Sequence, residues 1–396
     1  MVHNLYMHTG VGADPFQPPG EGCDAQPPEV RVPVQAIRGR GAAGRPQHRF
    51  EAHVREAFDD GWGEDAEDEA PTAPPRTEIL WEDARSALTR NDSPDIFFSH
   101  SVNPYRGCEH GCIYCYARAT HSYLGMSPGL DFETRIIAKR NIAALLRAEL
   151  ARPGHQPSVI NIGSATDCYQ PIERELRLTR ALIEVLGDAR HPFSLITKSG
   201  GVERDLDLLA PLAAQKLAAV YVTITTLDAK LARILEPRAA APHRRLRAIR
   251  ALAEAGVPVG VSVAPQIPFI NEDLEQVLAA AREAGATRAF YTVIRLPWEV
   301  DALMREWLQL HYPERAARVL ARIQDLHGIT DADARGRGKA YDASHATRMH
   351  GTGIWAELLH QRFHKACARL GFNRERFELD LSQYQSGLAR GQAALF

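Results

Sequence analysis

From Val159 onward, short apolar runs alternate with longer stretches in which apolar residues recur every three or four positions. The runs Val159–Ile162, Phe193–Thr197, Ala219–Ile224, Val259–Ala264 and Ala289–Ile294 are rich in β-branched residues and read as strands. Residues 132–151, 172–186, 206–213, 241–255 and 274–284 carry helical spacing. One more strand is expected near Ser101. Six strand–helix units at this spacing predict parallel βαβ connections, and the near-continuous apolar strands predict helices on the outside. An incomplete (β/α)6 TIM-type barrel answers this pattern. A doubly wound open sheet is the alternative, but the Gly-rich phosphate turn that it ordinarily carries after its first strand is not seen.

The ends of the chain read differently. Residues 1–75 hold Pro15, Pro18, Pro19, Pro27 and Pro28, a basic run Arg38–Arg45 and an acidic run Asp59–Glu69. They are expected to form a mostly disordered, flexible arm. A sharper reading has Arg38–Arg45 touching nucleic acid, with Phe58 and Trp62 as anchors. Residues 76–300 should hold a lead-in, with a short helix at Glu82–Leu88, and then the partial barrel. Residues 301–396 should form a mainly helical extension capping it. There 303–308, 313–326 and 353–370 carry helical spacing, Gly371 is placed to end the last helix, and 330–350 reads as a loop.

The chain has 396 residues, 47 basic and 49 acidic, a formal net charge of −2 and six cysteines. That balance demands neither nucleic acid nor membrane. The cysteine spacing suggests no disulfide scaffold and suits a reducing cytoplasm. No apolar stretch is long enough to predict a membrane span, and the N-terminus does not read as a signal peptide.

Three cysteines, Cys108, Cys112 and Cys115, are spaced C-x3-C-x2-C with no fourth partner nearby. A structural zinc wants four ligands. Three thiolates on a four-iron cluster leave one iron open for a substrate or cofactor. Gly107 and Gly111 would relieve crowding where backbone passes the cluster. Zinc with His110 or His121 as fourth ligand is the alternative. In a β/α barrel, chemistry gathers where the strands end. Ser164, Thr166, Asp167 and Cys168 follow the second strand, Lys198 the third, Thr225 the fourth and Arg295 the sixth.

The run Asn103–Arg118, with Tyr116 beside the last cysteine, and Gly163–Glu173 resemble the radical S-adenosylmethionine superfamily, in its spore photoproduct lyase-like branch. Arg90–Pro94, Ser127–Arg135 and Glu236–Arg238 bring it near an uncharacterised bacterial family of that branch. The resemblance implies a [4Fe-4S] cluster on Cys108, Cys112 and Cys115. It implies S-adenosylmethionine on the open iron, cleaved to methionine and a 5'-deoxyadenosyl radical, and an external electron donor such as flavodoxin or ferredoxin. It further implies an adenine pocket lined by Tyr116, with Tyr114 flanking. Ser164, Thr166 and Asp167 would stand near the cofactor amino group, with an Asp/Thr turn cap as the alternative. Thr223 and Thr225 should share one side of a strand and reach the ribose or carboxylate. Arg238 and Lys198 are candidates for binding the carboxylate or another anion. Cys168 is a candidate hydrogen-atom donor, set against an inert packing role.

Basic residues at Arg238, His243–Arg245, Arg295, Arg335, Arg337, Lys339, Arg348 and His350 suggest a positive rim and an anionic nucleotide, nucleic-acid or small-molecule substrate. A radical enzyme acting on a peptide or natural-product intermediate is a second reading. A non-catalytic, metal-dependent nucleic-acid binding protein is a third.

Overall fold

The computed structural model describes residues 35–51, 75–328, 341, 343–375 and 378–386. The body opens with β1 (Glu78–Glu82), β2 (Leu88–Arg90), β3 (His100–Val102) and β4 (Tyr105–Arg106). After the cysteine loop come α1 (Leu130–Thr134), β5 (Arg135–Lys139) and α2 (Ile142–Leu150). Strands and helices then alternate through β6 (Ile160–Ile162), α3 (Glu173–Leu176), α4 (Leu178–Asp188), β7 (Phe193–Thr197), α5 (Leu206–Ala214) and β8 (Ala218–Thr223). They continue through α6 (Ala229–Leu235), α7 (Pro242–Glu254), β9 (Val259–Gln266), α8 (Leu274–Glu283) and β10 (Arg288–Val293). Three longer helices follow: α9 (Glu299–His311), α10 (Pro313–Leu326) and α11 (Gly353–Leu370).

Neighbouring strands in the main sheet run β10-β9-β8-β7-β6-β3-β2. From β3 to β10 every pair is parallel, and β2 adds an antiparallel edge. Sequence order equals spatial order along the parallel run, so each crossover returns to the next strand. Residues of β6 to β10 line one common cavity, which requires the sheet to curl around it. This is the expected partial (β/α)6 barrel. Leu182, Ile183, Leu186, Leu209, Ile249, Leu252, Val277 and Leu278 bury the inner faces of the helices against Val220, Val222, Val259, Val261 and Val263 of the strands. A second core joins Cys112 and Ile113 of the cysteine loop to Leu235 of α6 and to Val300, Met304 and Trp307 of α9.

The free edge of β10 is covered by the C-terminal extension. Val293 N–H donates to the Met349 carbonyl at 2.9 Å. The Asn373 amide accepts from Ala289 N–H at 3.0 Å and donates to the Ala289 carbonyl at 2.9 Å. An exposed edge strand invites wrong pairing, and these contacts occupy it. The α11 helix spans the predicted residues and ends at Gly371 in the left-handed region, φ 76°. Among the described residues no helix is long and apolar enough to cross a membrane.

Three expectations need correction. Glu82–Leu88 is not helical. Its amides go to distant side chains: Ala84 N–H to Asn141, and Ala87 and Leu88 N–H to the two oxygens of Glu149. Nor is 132–151 one helix. Arg135–Lys139 forms β5, held between β1 and β4, because two extended partners can satisfy a β-branched Ile-Ile run. Third, within the expected flexible arm, residues 35–51 are fastened to the body. Arg45 pairs with Asp131 at 2.8 Å, and Arg49 forks onto Glu299 at 2.8 and 3.0 Å. The proline-rich start, the acidic run, Phe58, Trp62, Arg335, Arg337 and Lys339 lie outside the described residues.

Candidate active site

The cysteine loop is shaped by two buried carboxylates. Glu133 accepts from Gly41 N–H at 3.0 Å, from Ala42 N–H at 2.9 Å and from Arg118 at 2.5 Å. The Arg118 guanidinium also donates to the carbonyls of Gly111, Cys112, Pro128 and Gly129, at 2.8 to 3.1 Å. Arg118 therefore satisfies its donor fork inside the protein and holds the loop in shape. Glu236 accepts from Tyr114, Thr225 and Arg245. Burial would raise its pKa, but Arg245 and Lys198 hold it below the usual carboxylate value. Gly107 and Gly111 have φ of 83° and 67°. A Cβ on Gly111 would stand 2.7 Å from Glu133 Oε2, and one on Gly107 would stand 2.9 Å from the Phe132 carbonyl. Protein neighbours alone thus demand glycine at both positions.

A cavity of about 440 Å3 opens at the C-terminal ends of the strands. Cys108, Cys112 and Cys115 line it together with Tyr114, Tyr116, Ser164, Thr166, Asp167, Lys198 and Thr223. Residues from three separate strand ends and the cysteine loop are brought together there. Tyr116 donates to the Ser164 carbonyl, and Arg295 stacks 4.8 Å from the centre of its ring. The Asn103 amide donates to the Ser164 hydroxyl at 3.1 Å. Thr166 donates to the Gly107 carbonyl at 2.6 Å and so ties the cysteine loop to the end of β6.

Asp167 has two functions in the geometry. Its carboxylate accepts from Tyr169 N–H at 2.9 Å, which is the turn cap. It also accepts from the Thr197 hydroxyl and Lys198 N–H, each at 2.7 Å, while lining the cavity. Nδ1 of His110 stands 3.2 Å from Asp167 Oδ2, off the line of a hydrogen bond. Burial would raise the Asp167 pKa, but the His110 ring and the three donors hold it well below the usual range. For Lys198, burial works against the charge, and Cys112 and Glu236 outweigh it, so its pKa is raised.

Three expected residues are not in this cavity. Thr225 lies beyond the end of β8, where the strand alternation has ceased, and its hydroxyl goes to Glu236 and the Ala264 carbonyl. Arg238 pairs with Glu109 at 3.1 Å and lines a neighbouring cavity. Cys168 is fully buried in the barrel core, with Sγ 3.7 Å from the Ile196 carbonyl. The turn capped by Asp167 directs it inward, away from the cofactor side. The expected positive rim is also partly neutralised: Arg245 pairs with Glu236, and Arg348 pairs with Asp95.

The donor set fits an iron–sulfur cluster. Three thiols face one cavity without a carboxylate among their immediate sequence neighbours aimed between them. Among the described residues, no three His, Cys, Asp or Glu side chains converge as a single ion requires. Both zinc alternatives have other engagements: His110 faces Asp167, and His121 faces the Arg135 carbonyl and packs edge-on to Phe132. Burial pushes the Cys112 thiol up to about 12, with Glu236 adding to it, and raises the Cys108 thiol as well. A bound cation would displace those protons.

Sequence reasoning did not assign Glu133, Glu236, Arg118 or Phe97 to the site. Glu133 and Glu236 lie in the quoted runs Ser127–Arg135 and Glu236–Arg238, so their positions were flagged but not their roles. Arg118 likewise closes the run Asn103–Arg118, whereas nothing local distinguishes Phe97, which lines the cavity, from a surface residue.

The radical SAM superfamily model matches residues 102–284. An uncharacterised protein of Mycobacterium tuberculosis (strain ATCC 25618 / H37Rv) is 38% identical over 238 residues, 59% of this chain and 70% of that protein. An uncharacterised protein of Methanocaldococcus jannaschii is 28% identical over 213 residues, 54% of this chain and 76% of that one. Among solved structures, a spore photoproduct lyase mutant superposes with a TM-score of 0.48 at 16% identity, over 74% of this chain and 80% of the other. The three-cysteine loop, the partial barrel and these sequence matches agree, and the chain belongs to the radical SAM superfamily of enzymes.

Proposed function

We propose that this enzyme binds a [4Fe-4S] cluster on Cys108, Cys112 and Cys115, with S-adenosylmethionine beside it, and acts on an anionic nucleotide or nucleic-acid substrate at the cavity mouth. The bound cofactors, given one electron by an external donor such as flavodoxin or ferredoxin, supply a 5'-deoxyadenosyl radical able to take hydrogen from carbon. The chain's own residues position the reactants and exclude water. Asp167 offers a carboxylate to a cofactor ammonium, and Ser164 and Thr166 border the same wall. Lys198 and Thr223, from the next two strand ends, line the same cavity and suit a carboxylate or ribose.

The observation that carries the substrate reading is the composition of the mouth. Phe97 is 64% exposed and Tyr116 46% exposed, both on the cavity lining. Arg295 lies over the Tyr116 ring. Exposed aromatic faces with a guanidinium beside them suit a planar base carrying negative charge. The test is anaerobic incubation of cluster-loaded, reduced protein with deuterium-labelled nucleotides, oligonucleotides and peptides. Label should enter 5'-deoxyadenosine from a nucleotide or oligonucleotide. Transfer from a peptide alone would overturn the substrate reading. Failure of the Cys112→Ala protein to lose iron or cofactor cleavage would overturn the cluster assignment.

A further inference from the structure

A second cavity, of about 450 Å3, lies on the other side of His110 from the cysteine cavity. Four arginines line it: Arg174, Arg204, Arg238 and Arg244. They come from three separate parts of the fold: Arg174 from α3, Arg204 from the turn Gly200–Asp205 after β7, and Arg238 and Arg244 from the segment after α6 and the first turn of α7. Their convergence is therefore a product of the tertiary structure. Only one carboxylate, Glu203, is on the lining, and it stands 3.7 Å from Arg247 outside it. Arg238 is balanced by Glu109. The other three have no such balance. Arg204 donates to the carbonyls of Gly201 and Glu173, which are neutral. Arg174 and Arg244 are exposed and make no ion pair among the described residues. The local charge is thus strongly positive in a chain whose formal net charge is −2.

Guanidinium groups that converge on a concavity in excess of its carboxylates repel each other. The arrangement is relieved when an anion with several acceptor oxygens enters. Ser199, Gly200 and Gly201 form the floor, where the lack of side chains lets a ligand approach the backbone. A Cβ on Gly200 would meet Glu203 Oε1 at 3.6 Å and the Arg244 carbonyl at 3.8 Å, ordinary contact distances, so the backbone there is closely approached without being blocked.

We propose that this cavity is a phosphate-binding site, separate from the cysteine cavity, that takes a group carrying two or more phosphates. The chemistry is shared by a free oligophosphate ester and by consecutive phosphates of a single strand. The site does not depend on the identity of the substrate in the cysteine cavity.

The test is calorimetric titration of the full chain with inorganic pyrophosphate at low and moderate salt. Saturable binding that weakens with salt is expected, with at least a tenfold loss in an Arg174→Ala/Arg244→Ala double variant. Neither side chain has an ion-pair partner to lose, so the thermal unfolding of that variant should match the parent. A short single-stranded oligonucleotide should displace pyrophosphate if the phosphates belong to a strand, and should fail to do so if they belong to a small ester. Cluster-loaded double variant should bind S-adenosylmethionine as the parent does. No saturable pyrophosphate binding in the parent, or equal binding in the double variant, would overturn the proposal. A matching loss of S-adenosylmethionine binding would overturn the separation of the two sites.

Discussion

Arg348 and Asp95, 253 residues apart in sequence, meet in a two-pronged ion pair with bonds of 2.6 and 2.7 Å. Asp95 precedes β3 and Arg348 follows α10, so the pair joins segments flanking the first and last parallel strands across the open side of the barrel. Both side chains are nearly buried, 11% and 12% exposed. Bonds from Arg348 hold the Asp95 carboxyl below its ordinary pKa. Its contribution is therefore present above the ordinary carboxylate pKa and is lost as pH falls through the lowered value. Asp95→Asn should cost about 2 kcal/mol, between the values for exposed and fully buried pairs. Urea denaturation of the variant would measure it, and an unchanged midpoint would show that the seam is not held there.

Arg118 and Glu133 are both 0% exposed. Breaking such a pair from one side strands the other charge in the interior. Glu133→Gln should destabilise the protein by about 3–5 kcal/mol. The same change turns one of the two oxygens that accept from Gly41 and Ala42 N–H into a donating amide, so it should also raise proteolytic access near residues 35–51. A variant as stable as its parent, with that segment equally protected, would refute Glu133 as the anchor of the loop.

Stability should decline on mild acidification. Burial depresses the pKa of His191 to about 4 and that of His121 to about 4, against 6.5 for an ordinary histidine. Between these values the unfolded chain binds protons that the folded chain refuses. Their contribution is complete above about pH 6.5 and is lost as pH falls towards 4, by roughly 3 kcal/mol each at most. His191 lies 3.1 Å from His155, nitrogen to nitrogen, so both cannot comfortably carry protons. Urea midpoints at pH 7.5 and pH 5 should differ, and less so in His191→Gln. Equal slopes in the two proteins would remove His191 as a source.

Cys168→Ala should leave cluster content, cofactor cleavage and product unchanged. Its thiol lies in the core and off the cavity lining, so the expected effect is a small packing loss of about 1 kcal/mol. Mass spectrometry of the product from matched turnover reactions decides this. An altered product from a variant with an intact cluster would restore a radical role for Cys168.

The local pattern determined much of this protein. Short β-branched apolar runs located the parallel strands within one or two residues, because most of those strands are buried on both faces, and 3.6-residue spacing located α7, α8, α10 and α11, because those helices bury one face. The C-x3-C-x2-C run placed three thiols on one cavity, since cysteines so close in sequence must share a loop. Tertiary partners decided the rest. Arg135–Lys139 became a strand because β1 and β4 stood on either side of it. Ala87 and Leu88 were held from a helix by Glu149, which lies about sixty residues away. Thr225, Arg238 and Cys168 have suitable chemistry, but strand endings and a capped turn direct them elsewhere. Likewise, four arginines from three segments form one positive cavity only after the crossovers have closed. Side-chain direction at a strand end depends on where the backbone leaves the sheet, and that is set by long-range contacts rather than by neighbouring residues.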